Sequence, residues 1–241
     1  MSMTHRPIKV YVFKDISRMM KVAALFSGGK DSVYAIYIAQ QYGWEITDLI
    51  SIIPDNKNSW MYHSVNIHLT KLLAESMSIP YLSASTQGLK ETELATLKEL
   101  LSPLSIDGVI SGAIASEYQR TRIEQVCDEL QIKSFTPLWH KDQGLLLKDQ
   151  IRAGFTILIT GVFAEGFNKG WLGRSITSSV YEEIIKLHDR YHINIAGEGG
   201  EYETLVTNGP LFQKELIIHQ AQKEWNRDNG ILVIKDASLN E

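Results

Sequence analysis

The strongest constraint on this chain is a short apolar run at residues 22–26. It ends at Ser27-Gly28-Gly29-Lys30-Asp31-Ser32, and a helical pattern follows directly over 30–42. A bounded apolar run of that length reads as a buried strand. Paired glycines allow a tight reversal and a close approach of backbone to ligand. A helix opening there offers free N–H groups and the positive end of its dipole. In an open α/β sheet, ligands bind outside the carboxyl ends of strands near a topological switch point, so the unit predicts a phosphate cradle. Lys30 supplies a cation for phosphate oxygens from a solvated strand end. Asp31 can hold Mg2+ or cap the helix, and the Ser27 and Ser32 hydroxyls complete the cup. The loop is not of the Walker type, because G-x-x-x-x-G-K-[ST] is absent. The plain structural alternative is a tight turn in which the glycines relieve strain and Asp31 only caps.

Beyond this unit the chain keeps alternating. Residues 45–53 read as a second strand, and Met61, Val65, Leu69, Leu72 and Leu73 fall on one face of a helix. A strand at 79–83, a helix at 90–101 and a strand at 109–114 follow, and Ile123, Val126, Cys127 and Leu130 mark another helix. This repetition predicts an α/β fold, a Rossmann-like parallel sheet with helices on both sides. After Thr136-Pro137-Leu138-Trp139 the rhythm changes. A helix near 143–153, an apolar strand over 155–163, a helix around 180–191 and a short strand at 192–196 precede a glycine-rich loop. Strands near 215–220 and 230–234 close the pattern. The division expected is an N-terminal extension over 1–19, a nucleotide-binding domain over 20–136 and a smaller α+β domain over 137–241. Residues 8–13 could add an edge strand, and Met20 is itself a candidate translation start.

Charge and cysteine content narrow the chemistry. With 24 Lys+Arg against 28 Asp+Glu the net charge is −4, which argues against a stable nucleic-acid grip, since such affinity rests on a basic face. A single cysteine, Cys127, excludes a disulfide framework and metal sites built on cysteine pairs. Lying on an apolar helix face, it reads as a core residue rather than a nucleophile. No apolar stretch approaches about 18 residues and no secretory leader is visible, so a cytoplasmic protein without a membrane segment is expected. The oligomeric state is left open, a homo-oligomer included.

Two further blocks carry polar groups at strand ends. In residues 112–124, beginning at Gly112, a strand end runs into a helix whose first turn places Gln119 and Arg120 over the sheet. These types suit ribose, phosphate or carboxylate recognition, arginine by bidentate contacts; the alternative is a surface ion pair with Glu117 or Glu124, which is the reading expected for Arg122. In Gly197-Glu198-Gly199-Gly200-Glu201-Tyr202-Glu203-Thr204 three carboxylates stand within six residues. They repel one another, so they are expected to bind a cation, Mg2+ or ammonium, or to steer an incoming amine. The alternative is a solvated acidic turn. His63 is a candidate to orient a phosphate.

The phosphate loop resembles that of the PP-loop ATP pyrophosphatases, which cleave ATP between the α and β phosphates. Sulfur-transfer members commonly need paired cysteines, and glutamine-dependent amidotransferases carry a catalytic cysteine, so free ammonia is the natural nucleophile here. Together with Trp60-Met61-Tyr62-His63, the 112–124 block, Pro137-Leu138-Trp139, Trp171-Leu172-Gly173-Arg174 and residues 198–212, the chain resembles the diphthine–ammonia ligase family over about 20–235. That resemblance implies an adenine-nucleotide α-hydrolase-like domain and ATP with Mg2+ as cofactors. It also implies amidation of diphthine on elongation factor 2 with ammonium, giving AMP and pyrophosphate. On it, Lys30, Asp31, Glu198 and Glu201 are the expected catalytic residues. ATP would be bound by residues 27–32 with Gly112, Gln119 and Arg120, and the substrate by His63, Trp171, Tyr202 and Glu203. Diphthine carries a trimethylammonium, for which Trp171, Tyr202 and Trp139 are candidate faces. The competing readings are a tRNA-modifying PP-loop ATP pyrophosphatase and a nucleotide-sensing module without turnover.

Overall fold

A computed structural model describes residues 19–54, 65–86 and 90–240. Two sheets and the helices between them make the molecule. The first sheet is built from β1 (Lys21–Leu25), β2 (Glu45–Pro54), β3 (Tyr81–Thr86), β4 (Gly108–Ile110) and β5 (Lys133–Phe135), all parallel, in the order β3-β2-β1-β4-β5. The crossovers carry α1 (Lys30–Gln41), α2 (Thr70–Ser76), α3 (Lys90–Leu101) and α4 (Glu117–Glu129). Strand order reverses between β1 and β4, which opens a crevice at their carboxyl ends. The second sheet is antiparallel in the order β7-β6-β9-β8, from β6 (Thr156–Val162), β7 (Tyr202–Asn208), β8 (Leu216–Asn226) and β9 (Asn229–Leu239), and α5 (Gln143–Arg152) and α6 (Ser178–Tyr191) accompany it.

Side-chain alternation on β1 separates two cores. Val22 and Ala24 join a large cluster that takes Val33 and Ile36 from α1, Ile157 and Ile159 from β6, Leu205 from β7 and Ile234 from β9. Ala23 faces the other way, with Ile50, Ile52, Leu97, Ile123, Val126 and Cys127. The larger core runs through both sheets, with α1 contributing to it from between them, so the first turn of α1 sits where the two halves of the chain meet.

Several local expectations need correction. In the described part of the helix read through Met61 to Leu73, residues 65–66 form a turn with Asn66 left-handed at φ 60°, and a 3-10 turn over Ile67–Leu69 continues into α2. The start read at 61, and His63, lie outside the described residues, as does the edge strand considered for 8–13. Residues 192–196 are not a strand: His192 adopts φ 57° and caps α6, which turns the chain away from extension. β7 and β5 were not foreseen. The first continues straight out of a run read as loop, and the second is three residues with a lysine and a serine, too short to show a period. β4 stops at Ile110 rather than running to 114, because the chain leaves the sheet to cross the first turn of α1.

Asn66 explains its own strained backbone. It is buried, its Nδ2 donates to the Leu232 carbonyl at 2.8 Å, and its Oδ1 accepts from Ile234 N–H at 2.9 Å, so it docks the α2 region on β9. Orphaning buried hydrogen-bonding groups costs about 1–3 kcal/mol each. Asn66→Ala is therefore expected to lower unfolding free energy by about 2–4 kcal/mol in urea titration. Asn66→Gly, which tolerates the φ, should lose nearly as much. A loss below about 0.5 kcal/mol in both would show that β9 does not depend on this side chain.

Candidate functional site

A cleft of about 390 Å³ opens at the switch point, within the range of small-ligand sites. Its floor is the end of β1 with the loop Ser27 to Ser32, and Ser111, Gly112 and Ala113 after β4. The loop braces itself. Ser27 Oγ lies 3.1 Å from Ser32 Oγ and accepts from Gly29 N–H at 3.3 Å, while Ser32 Oγ donates to the Gly29 carbonyl at 3.0 Å. Gly29 caps α1 without a side-chain hydrogen bond, and Thr204 of β7 supplies one instead, its Oγ1 accepting from Lys30 N–H at 3.1 Å. Gly112 has a packing reason for lacking a side chain: a Cβ there would lie 2.7 Å from Asp31 C and Ser32 N. Gly28 does not line the cleft. Held at φ 76°, it turns its carbonyl to Val206 N–H of β7 at 2.9 Å.

Lys30 corrects the expectation of a solvated charge. It is 4% exposed. Its Nζ donates to the Ala196 carbonyl at 2.5 Å and to Asp31 Oδ2 at 2.6 Å, and it stands 5.6 Å from the Tyr202 ring centre. Asp31 is held from the far side too, its Oδ1 accepting from Gln150 Nε2 at 2.9 Å. Burial, and then the charges of Asp31 and Glu201, push the Tyr202 phenol well above its ordinary range. It stays protonated and donates to the Ile195 carbonyl at 2.6 Å.

The acidic run is dispersed. Glu198 lines the cleft, and its Oε1 accepts from three successive N–H groups, Ile114, Ala115 and Ser116, at 3.3, 2.9 and 3.1 Å. That carboxylate sits on the positive end of α4 and pins the glycine loop to the first sheet. Glu201 is not among the cleft-lining residues; its Oε1 accepts from Asn194 N–H at 3.0 Å, and its Oε2 is buried with no partner. Glu203 and Gln119 both line the cleft. Arg120 does not. Glu117 at 2.8 Å and Glu124 at 2.6 Å, one turn away on either side, hold its guanidinium over the Trp139 ring. Arg122, expected in an ion pair, lies over the Tyr118 ring at 3.8 Å instead. Trp171 is buried edge-on to Phe167 with the Arg174 guanidinium 4.6 Å from its ring centre, so it cannot meet a ligand in the cleft.

Among the residues that hydrogen-bond Lys30 and Asp31, Gln150, Thr204 and Ala196 were not singled out from the sequence as site residues, nor were the apolar cleft residues Leu25, Ile50, Ile52, Val65 and Ile67. Gln150 is fully buried in α5, and a polar residue at a core-facing helix position was the signal available. Thr204 closes the acidic motif, and Ala196 contributes only its carbonyl, which no side-chain pattern reveals.

Residues 20–134 match the family described as diphthamide synthase N-terminal domain, and residues 142–239 match its C-terminal domain. A diphthine–ammonia ligase of Danio rerio is 33% identical, covering 88% of this chain and 91% of that protein. One of Homo sapiens is 33% identical over 84% of each. The Schizosaccharomyces pombe enzyme is 34% identical over 83% of this chain, which spans 36% of that longer protein. A solved structure described as a "predicted subunit of tRNA methyltransferase" from Methanocaldococcus jannaschii aligns at TM-score 0.45 and 18% identity, covering 80% of this chain and 98% of that one.

Two outcomes follow from this geometry. Glu198→Ala should cost about 1–2 kcal/mol and weaken nucleotide binding, with Glu198→Gln, whose amide oxygen can still accept, in between; unchanged melting and nucleotide affinity in the alanine variant would show that the bonds do not hold the loop. Burial, and then the charges of Asp128 and Glu124, push the Cys127 thiol up to about 12, so it stays protonated in the fold at pH 8. Iodoacetamide is expected to label it only after denaturation. Because the unfolded chain ionises first, near pH 8.5, this group withdraws stability as pH rises above that value. Rapid labelling of native protein would overturn the assignment.

Proposed function

This chain belongs to the diphthamide synthase family, the diphthine–ammonia ligases, and from that premise we propose that it amidates diphthine on elongation factor 2 with ammonium through an acyl-adenylate. The observation that carries the reading is the placement of the loop from Ser27 to Ser32. It lies at the switch point of the first sheet, in a cleft whose opposite wall, residues 196 to 204, comes from the second half of the chain. A nucleotide held by one half thus faces groups supplied by the other.

Leu25, Ile50, Ile52, Val65 and Ile67 line the apolar part of the cleft and would take the adenine, and the first turn of α1 would take the phosphates. The diphthine carboxylate attacks the α-phosphorus, and the bond to the bridging oxygen breaks with its electron pair leaving on pyrophosphate. Ammonium gives up a proton to solvent, and the resulting ammonia attacks the acyl carbon. AMP departs with the electron pair of the broken C–O bond, and the nitrogen sheds a second proton to leave the amide. Lys30, turned toward the phosphates, offsets charge on the leaving group. Mg2+ brought in on the phosphates would find its protein ligand in Asp31, whose oxygens each accept one hydrogen bond and retain a lone pair. Glu198 positions the loop rather than touching the reacting atoms, and Glu203 reaches the cleft from β7.

Lys30→Ala and Asp31→Ala should each lower AMP formation at least about 100-fold. Since both residues sit in a buried network, some loss of melting temperature is expected with them. Wild-type protein should release AMP and pyrophosphate with diphthine-bearing elongation factor 2 and ammonium, and only slowly without them. ADP and phosphate as products, or AMP release driven by bulk tRNA, would overturn the reading.

A further inference from the structure

We propose that the recess now filled by the Lys30 ammonium is the subsite for the free ammonium that the reaction consumes; this rests on the amidation reading above. Lys30 Nζ has the environment an ammonium ion needs. A carbonyl, Ala196, stands at 2.5 Å, a carboxylate oxygen, Asp31 Oδ2, at 2.6 Å, and an aromatic face, Tyr202, at 5.6 Å to its centre. Each wall of the recess is fixed by something else. Gln150, wholly buried, holds the other Asp31 oxygen, and its own Oε1 is buried without a partner. The Tyr202 hydroxyl is tied to the Ile195 carbonyl, and Gly197 lets the ring in, since a Cβ there would lie 3.0 Å from the Tyr202 ring and 2.9 Å from its carbonyl oxygen. Lys30, Asp31, Ala196, Gly197 and Tyr202 all line the cleft, so the recess opens where the acyl-adenylate would form.

The lysine is thus the chain's own stand-in for the substrate, with the same charge and the same kind of N–H donor. When phosphates draw Lys30 away, Asp31, the Ala196 carbonyl and the Tyr202 face are left needing a small cation that donates hydrogen bonds. This excludes the trimethylammonium of diphthine as occupant. A quaternary nitrogen has no N–H for acceptors at 2.5 and 2.6 Å. It also orders the reaction: ammonium enters after ATP.

The test uses the full chain. Lys30→Ala should melt a few degrees higher in ammonium chloride than in sodium or tetramethylammonium chloride at equal ionic strength, because a ligand of the folded state stabilises it by mass action. Wild type, whose recess is filled, should melt alike in all three. Since Lys30→Ala could fold poorly, a second measurement stands beside it. Tyr202→Leu should raise the KM for ammonium about tenfold while the KM for ATP stays within about twofold, and Tyr202→Phe, which keeps the face but frees the Ile195 carbonyl, should raise the ammonium KM less than Tyr202→Leu does. Equal melting of Lys30→Ala in the three salts, or an unchanged ammonium KM in Tyr202→Leu, overturns the subsite. Wild-type protein that makes no AMP with elongation factor and ammonium would instead sink the amidation reading, which the melting comparison does not require.

Discussion

A lysine ammonium almost shut off from water joins the two halves of this chain, and much of the cleft follows from the need to satisfy it. An isolated buried charge is untenable, so Lys30 must find a counter-charge and further acceptors. Asp31 beside it supplies the charge. The remaining acceptor is the Ala196 carbonyl, 166 residues away in sequence, which can reach Nζ only if the chain after α6 folds down onto the first sheet. The glycines that follow permit this: Gly197 at φ 72° passes against the Tyr202 ring, and Gly200 at φ 84° turns the chain into β7. The residue types that made this segment look like a ligand loop are first of all those that bring a carbonyl and an aromatic face onto a lysine.

Other cross-links repeat the logic with backbone groups. The Gly28 carbonyl accepts from Val206, Thr204 caps α1, Glu198 takes the three N–H groups just ahead of α4, and Asn66 pairs with β9. Each satisfies a donor or acceptor that a strand end or helix start leaves open. The cleft is therefore not a depression in one sheet with a second domain placed near it. Its walls exist because the unpaired groups of one half are met by the other, so a change at Thr204 acts on the 27–32 loop through Lys30 N–H, and one at Glu198 on the 114–116 segment.

What could be read from the sequence follows from range. The parallel sheet, α1, α3, α5 and the tight glycine turn between β1 and α1 were legible because apolar period and glycine position are local signals. Residues 192–196 misled because apolar content favours a strand, while the left-handed His192 that breaks it belongs to a helix cap. Arg120 was placed over the sheet, yet Glu117 and Glu124 on its own helix claim it, a competition that spacing alone announced. Lys30 was read as solvated because its cover comes from a distant carbonyl. Gln150 went unnoticed because the meaning of a buried glutamine lies in what it touches, here a carboxylate 119 residues earlier.

The acidic run shows how a charge cluster in sequence need not be one in space. Glu198, Glu201 and Glu203 would repel strongly if they shared a pocket, yet only backbone turns and strand alternation are needed to part them. The turn at Gly199 and Gly200 sends Glu198 to the N-terminus of α4, where three N–H groups offset its charge. Glu201 goes instead to the amide of Asn194, and the next residue carries Tyr202 inward to the core and to Lys30. Glu203, one step further along β7, returns to the cleft beside Thr204. Repulsion is relieved by giving each carboxylate its own surroundings. Glu198 is thereby committed to holding the wall in place, while Asp31 and Glu203 line the cleft from opposite halves of the chain.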